Sequence, residues 1–214
     1  MNKKIISNVF LWMFVGLLIT FGTAFLVSNN YNMVRNIFSG WVYYVLIFLE
    51  LGLAMFLSIR VWKMSGATAT CVYLFYTFLT GLTMSSIFIR YELMSIIFVF
   101  LVASILFLIF ALIGKFTKID LSKFSVFLFM AVIGVILLNV INMFLLNSTL
   151  NLISCIFGLI VFLAYVAFDI QRIKRYSSYN LPERNLAIIS ALSIYIDFIN
   201  IFMDLLNLSG RSRR

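Results

Sequence analysis

Four of the seven acidic residues in this 214-residue chain, Glu50, Asp169, Asp197 and Asp204, fall inside long apolar runs. The last such run carries Ser190, Ser193, Asp197, Asn200, Asp204 and Asn207 at spacings of three, four, three, four and three, which is one continuous face of a helix. Serines and amides on such a face serve as helix-packing glue. Two carboxylates fit that role poorly, because a charge at the centre of an apolar span costs about 2.5 to 3.5 kcal/mol on insertion scales. The preceding run ends with Tyr165 and Asp169, one turn apart, just ahead of Arg172, Lys174 and Arg175. In an antiparallel hairpin with arms of equal length, residues equidistant from the loop lie at one depth. Asp169 and Asp197 are equidistant from Glu183, which sits in the loop after Pro182. The two carboxylates are therefore expected to meet, provided that the first helix continues past Arg172 and its basic side chains snorkel to the interface.

Two carboxylates in a low-dielectric site do not both ionise cheaply, so they tend to share one proton and titrate as a pair. Loss of the shared proton leaves a charge that recruits a cation. Calcium suits such a site, since it takes carboxylate, amide and water oxygens in flexible geometry. Two carboxylates without a further cage hold it transiently, which fits a leak path and not a store. Arg60 and Glu50 share another run. Arg60 is either an interfacial anchor or a fork that pairs with the carboxylates, whereas Glu50, near the middle, needs a cavity or a partner. Asn139, Asn142, Thr77, Thr80 and Gly81 are weaker candidates for the same interior, since each is more often ordinary packing.

The elements that position these groups follow from composition. The chain is 64% hydrophobic and 11% charged, against about 45 to 50% and 25% in soluble domains, so it is read as an integral membrane protein. Runs of roughly 20 apolar residues predict seven spanning helices: Asn8 to Ser28, Trp41 to Trp62, Gly66 to Phe88, Leu93 to Gly114, Lys123 to Leu146, Asn151 to Ile170 and Asn185 to Leu208. Short connections favour a single all-α bundle, one domain over residues 1 to 214, with the polar-striped last helix at its centre. The first run is too long for a signal-peptide core and lacks an A-x-A site, so it is expected to be retained.

Lysine and arginine set the orientation. With the N-terminus inside, Lys3, Lys4, Arg60, Lys63, Lys115, Lys118, Lys123, Arg172, Lys174, Arg175 and Arg184 lie inside, and Arg35, Arg90, Arg211, Arg213 and Arg214 lie outside. The majority places the N-terminus in the cytoplasm, with the Arg211 to Arg214 tail dissenting. The formal charge of +9 comes from residues at helix ends with no interleaved aromatics, so anionic lipids are the expected partners and nucleic acid is not. With no histidine in the chain, Ser-His and Cys-His triads, HExxH zinc sites and imidazole-bound haem are excluded. Cys71 and Cys155 lie in apolar runs and read as buried small hydrophobes. Rossmann and Walker glycine patterns are absent, and no cofactor is expected. The last run has no lysine for retinal, and receptor-type Asp-Arg-Tyr and Asn-Pro-x-x-Tyr motifs are missing.

Two segments carry a family resemblance. Residues 164–174, Ala-Tyr-Val-Ala-Phe-Asp-Ile-Gln-Arg-Ile-Lys, and residues 191–202, Ala-Leu-Ser-Ile-Tyr-Ile-Asp-Phe-Ile-Asn-Ile-Phe, resemble the paired motifs of the Bax inhibitor-1, or transmembrane Bax inhibitor motif, family, above all its bacterial calcium-leak members. Glu50 with Arg60, and the stretch from Tyr76 to Thr83, are supporting matches. The resemblance implies seven helices with the last one surrounded by the other six. It also implies a pH-sensitive calcium leak without enzymatic activity, while the low proline content and short loops fit a bacterial plasma membrane. Asp169 and Asp197 would be the proton sensor and transient calcium ligands, Arg60 the latch, and Glu50, Asn200 and Asp204 residues of the ion path. Asp204 departs from the family pattern, where a neutral amide is expected. Protein partners are allowed but unspecified. A regulator that restrains a membrane protease or a death pathway is the competing reading. An intramembrane aspartyl protease is more remote, since Tyr-Ile-Asp-Phe at Asp197 lacks that class's glycines.

Overall fold

The computed structural model describes residues 3–38, 40–176 and 182–210. The Arg211 to Arg214 tail, on which the orientation argument dissented, lies outside them. Among the described residues the chain is all-helical: α1 (Lys3–Ser28), α2 (Tyr31–Phe38), α3 (Val42–Arg60), α4 (Gly66–Met84), α5 (Ser86–Arg90), α6 (Leu93–Phe116), α7 (Ser125–Leu145), α8 (Ser148–Tyr176) and α9 (Glu183–Ser209). Seven stretches are long and apolar enough to cross a membrane, with α4 and α5 together forming the third. The seven expected spans are all present. Their ends differ where polar residues extend a helix beyond its apolar run: α8 continues past Ile170 to Tyr176 and α1 begins at Lys3. The short α2 was not expected. Its start is marked by Asn30, whose side chain accepts from the Met33 backbone N–H at 3.2 Å.

Local sequence explains the breaks. Ser65 caps α4, its hydroxyl accepting from the Thr68 backbone N–H at 3.1 Å. Between α7 and α8 the chain turns through Leu146 in the left-handed region, φ 48°. Asn142 Oδ1 accepts from the Asn147 N–H at 3.0 Å, and Asn147 Oδ1 in turn accepts from Thr149 and Leu150. Asn142 is thus a turn-forming residue at the end of α7.

The chain divides into two compact units. Unit 1 holds α1 to α5 and α9 as far as Tyr195; unit 2 holds α6, α7, nearly all of α8, and α9 from Ile196. In unit 1 the buried stripe of α1, with Ile5, Val9, Met13, Leu17, Thr20, Ala24 and Val27 at spacings of three and four, packs with α4. Gly81 belongs to this packing: a methyl group there would lie 2.8 Å from the Thr20 carbonyl oxygen. The loop before α4 is tied to the start of α9, where Asn185 donates to the Val61 and Met64 carbonyls and Arg184 to Thr70.

In unit 2 the buried face of α6 runs Ile96, Val99, Ala103, Phe107, Ala111 and Gly114. Phe100 and Phe107 meet Phe198 edge-on at 5.3 and 5.8 Å. At Gly114 the backbones of α6 and α8 touch, since a methyl there would overlap the Ala167 carbonyl. Two residues from that crossing stands Asp169. The spans differ sharply in burial: about two thirds of the α9 window is buried, against 6% for α3 and 11% for α7. α9 therefore gives side chains to both cores while α3 and α7 present most of their surface to lipid.

Candidate functional site

The α8–α9 hairpin positions the site in unit 2. Gly158 has no side chain, and the Asp204 carboxylate occupies the space: a methyl at Gly158 would stand 2.5 Å from Asp204 Oδ2. Because the two helices run antiparallel, seven residues onward along α8 and seven back along α9 bring Tyr165 to the level of Asp197. Asp169 then lies one helical turn beyond. The equal-arm expectation is therefore off by about that one turn.

Asp169 is 1% exposed and Asp197 5% exposed. Asp197 lies in the electrostatic field of Asp169 and of Arg172, and Tyr165 lies in the field of all three. Arg172 Nη2 approaches Asp169 Oδ1 at 3.5 Å, at an i, i+3 spacing on α8. Its guanidinium also lies 5.8 Å from the Phe168 ring, and that ring meets Tyr165 edge-on at 5.9 Å. The arginine side chain is 35% exposed while Asp169 is sealed, so the charge reaches out of the site along its own stem. Asp197 Oδ2 has no hydrogen-bond partner among the described residues. One guanidinium thus faces two carboxylates. With both ionised, the two carboxylates and Arg172 together carry one net negative charge, which one proton cancels and which attracts a metal cation.

The end of α8 is fixed by the loop before α7. Gln171 accepts from the Leu121 N–H and donates to the Ile119 carbonyl, both at 2.8 Å. Arg175 donates to Asp120 at 2.9 Å. Hydrogen bonds from the Ser122 hydroxyl and N–H, then the Arg175 charge, hold the exposed Asp120 carboxyl below its ordinary value.

The other sequence-derived candidates fall as follows. Glu50, in unit 1, is not loose: Oε1 accepts from the Thr83 hydroxyl at 2.9 Å and Oε2 from Thr80 at 3.4 Å. Arg60 is the exposed last residue of α3, also in unit 1. Asn200 turns its amide nitrogen back onto the Ile196 carbonyl at 2.8 Å. Asn139 accepts from Ser154 at 2.9 Å. Thr77 bonds within α4 to the Leu74 carbonyl. Cys155 is buried as expected, but Cys71 is exposed, which corrects its reading as a buried residue; a small apolar side chain is tolerated at such a position. Sequence reasoning missed Arg172 as the partner of Asp169, although the i, i+3 spacing was visible. It also missed Gly158 as the seat of Asp204, which depends on helix register.

Comparison with known proteins places this site in context. Residues 2–214 match the family model described as "Inhibitor of apoptosis-promoting Bax1". The inner membrane protein YbhL of Escherichia coli K12 is 37% identical over 97% of this chain and 91% of its own. An uncharacterized protein of Borreliella burgdorferi is 34% identical over 99% and 94%. An uncharacterized membrane protein of Streptococcus pyogenes serotype M1 is 31% identical over 80% and 75%. None of these three is named for an enzymatic activity.

Proposed function

The chain belongs to the Bax inhibitor-1 family, and on that premise we propose that it is a proton-gated calcium leak of a bacterial plasma membrane, with its N-terminus in the cytoplasm. One observation carries the reading: two buried aspartates, Asp169 and Asp197, lie in the field of Arg172, which pairs with Asp169. While one proton stays with the pair, Arg172 balances the remaining charge and the site is neutral. When the proton leaves, the net negative charge admits a divalent cation. Asp169 and Asp197 are then its transient ligands, and water completes the shell that calcium requires. Among the described residues no group of three or more Cys, Asp or Glu side chains is arranged to chelate a metal, which fits passage better than storage.

In this reading Arg60 is the latch, and Glu50, Asn200 and Asp204 belong to the ion path. Calcium and protons are the transported or sensed species, lipids are the surrounding partner, and no cofactor takes part. Reconstitution in proteoliposomes with a trapped calcium indicator, across a pH series, tests it. Flux with a pH threshold is expected, with the threshold displaced in Arg60→Gln and Arg172→Gln. In Asp169→Asn and Asp197→Asn the pH dependence should disappear. Unchanged pH profiles in both aspartate variants would sink the mechanism.

A second reading rests on the description of the family model, which names inhibition of a death-promoting protein. There the chain acts by binding a membrane partner. Co-purification of a partner whose activity changes, together with no ion flux from the purified protein, would favour it.

A further inference from the structure

Asp204 stands apart from the Asp169–Asp197 pair, seven residues along α9 from Asp197, which is about 10 Å at 1.5 Å per residue. Its Oδ2 is sealed from solvent and has no hydrogen-bond partner among the described residues. Gly158 provides the floor beneath it. Cys155, one turn earlier on the same side of α8, is 4% exposed and lies in the field of the Asp204 carboxylate. The Asn207 side chain, one turn further along α9, hydrogen-bonds the Cys155 sulfur. Asn207 is itself exposed, so the niche opens toward the C-terminal end of α9.

A buried carboxylate oxygen without a hydrogen bond is costly as packing glue, and a thiol beside it adds a second metal donor. We propose that Asp204 and Cys155, with the Asn207 amide at the mouth, form a second divalent-cation station in unit 2. An ion with a preference for oxygen, such as calcium, is held there by the carboxylate and retained water. A softer ion of similar size, such as cadmium, also gains the sulfur and binds more tightly. As the Cd–S bond forms, the Cys155 thiol proton leaves to solvent. The role of this station in transport rests on the calcium-leak reading; the site itself does not.

The two cysteines of the chain allow a direct test. In full-length Cys71→Ser protein in detergent, Cys155 is the remaining thiol. Titration with cadmium, followed by thiolate-to-metal charge-transfer absorbance in the ultraviolet, should give a saturable signal that calcium competes away. Cys155→Ala should abolish the signal, and Asp204→Asn should weaken the apparent affinity roughly tenfold or more. Gly158→Ala, which displaces the carboxylate, should weaken it without altering either ligand. Absence of the signal in the parent, or equal affinity in the parent and Asp204→Asn, would overturn the proposal. Normal cadmium binding in a protein that carries no calcium flux at any pH would uphold the site and overturn only the transport reading.

Discussion

Both halves of α9 carry polar side chains, yet the two units use them differently. In unit 1 the polar groups are closed into hydrogen bonds. Tyr195, fully buried, meets the Thr20 hydroxyl at 2.6 Å, and Thr20 also reaches the Gly16 and Thr77 carbonyls at 2.9 Å. Asn185 is likewise consumed by two carbonyls. In unit 2, α9 carries Asp197 and Asp204, and each leaves an oxygen buried without a hydrogen bond among the described residues. A polar stripe in a membrane helix is glue where its hydrogen bonds close and a site where they do not. The glue half should therefore cost stability when it is cut, and the site half should cost function.

The largest effect on stability is expected where backbones touch. Gly114→Ala pushes a methyl into the Ala167 carbonyl, an atom that no rotamer change can move, and should destabilise the protein by about 2 to 3 kcal/mol. Thermal unfolding in detergent, followed by circular dichroism, checks this, with Gly22→Ala as the matched control because its methyl meets nothing within 4 Å. Next comes Thr83→Val, which strips the stronger hydrogen bond from the Glu50 carboxylate and should cost about 1.5 kcal/mol. Tyr195→Phe removes one neutral bond while Thr20 keeps its carbonyl partners, so about 1 kcal/mol is expected by the same assay.

Asp197→Asn should break the comparison if it behaves like these. It removes a like charge beside Asp169 and retains the shape, so unfolding temperature should hold or rise while the pH dependence of transport is lost. A fall as large as that of Tyr195→Phe would make Asp197 glue. The smallest effect belongs to Asp120. Its carboxyl titrates below its ordinary value, so its contribution is fully present above the unfolded-state value and is lost as pH falls through the depressed one. Asp120→Asn should lower the melting temperature slightly at neutral pH and leave the acid end of the profile unchanged, which flattens its acid limb.

Much of this was legible in the sequence, and the physical reason is that lipid demands long apolar helices. The seven spans follow from that demand. That Asp197 lies in the field of Asp169 was legible in their symmetric distance from the Pro182 turn, although the helix register departs from equal arms by about one turn. What escaped depends on rotation and on contacts between distant segments. Glu50 with Thr83, Gly158 with Asp204 and Gly114 with Ala167 join residues whose pairing no local pattern announces. Asn142 carried an ambiguous signal, since one amide serves a turn or an interior equally well, and only the left-handed Leu146 decides for the turn. α2 escaped because its eight residues are too few to register as a span.

The central claim is that Asp169 and Asp197 hold protons as a pair. Infrared titration of the protonated-carboxyl C=O band in purified protein tests it most directly. Two linked steps are expected in the parent, with a single and displaced step for the surviving partner in Asp169→Asn and in Asp197→Asn. If each substitution instead deletes one independent step and leaves the other carboxyl titrating as it does in the parent, the two aspartates act separately and the account is wrong.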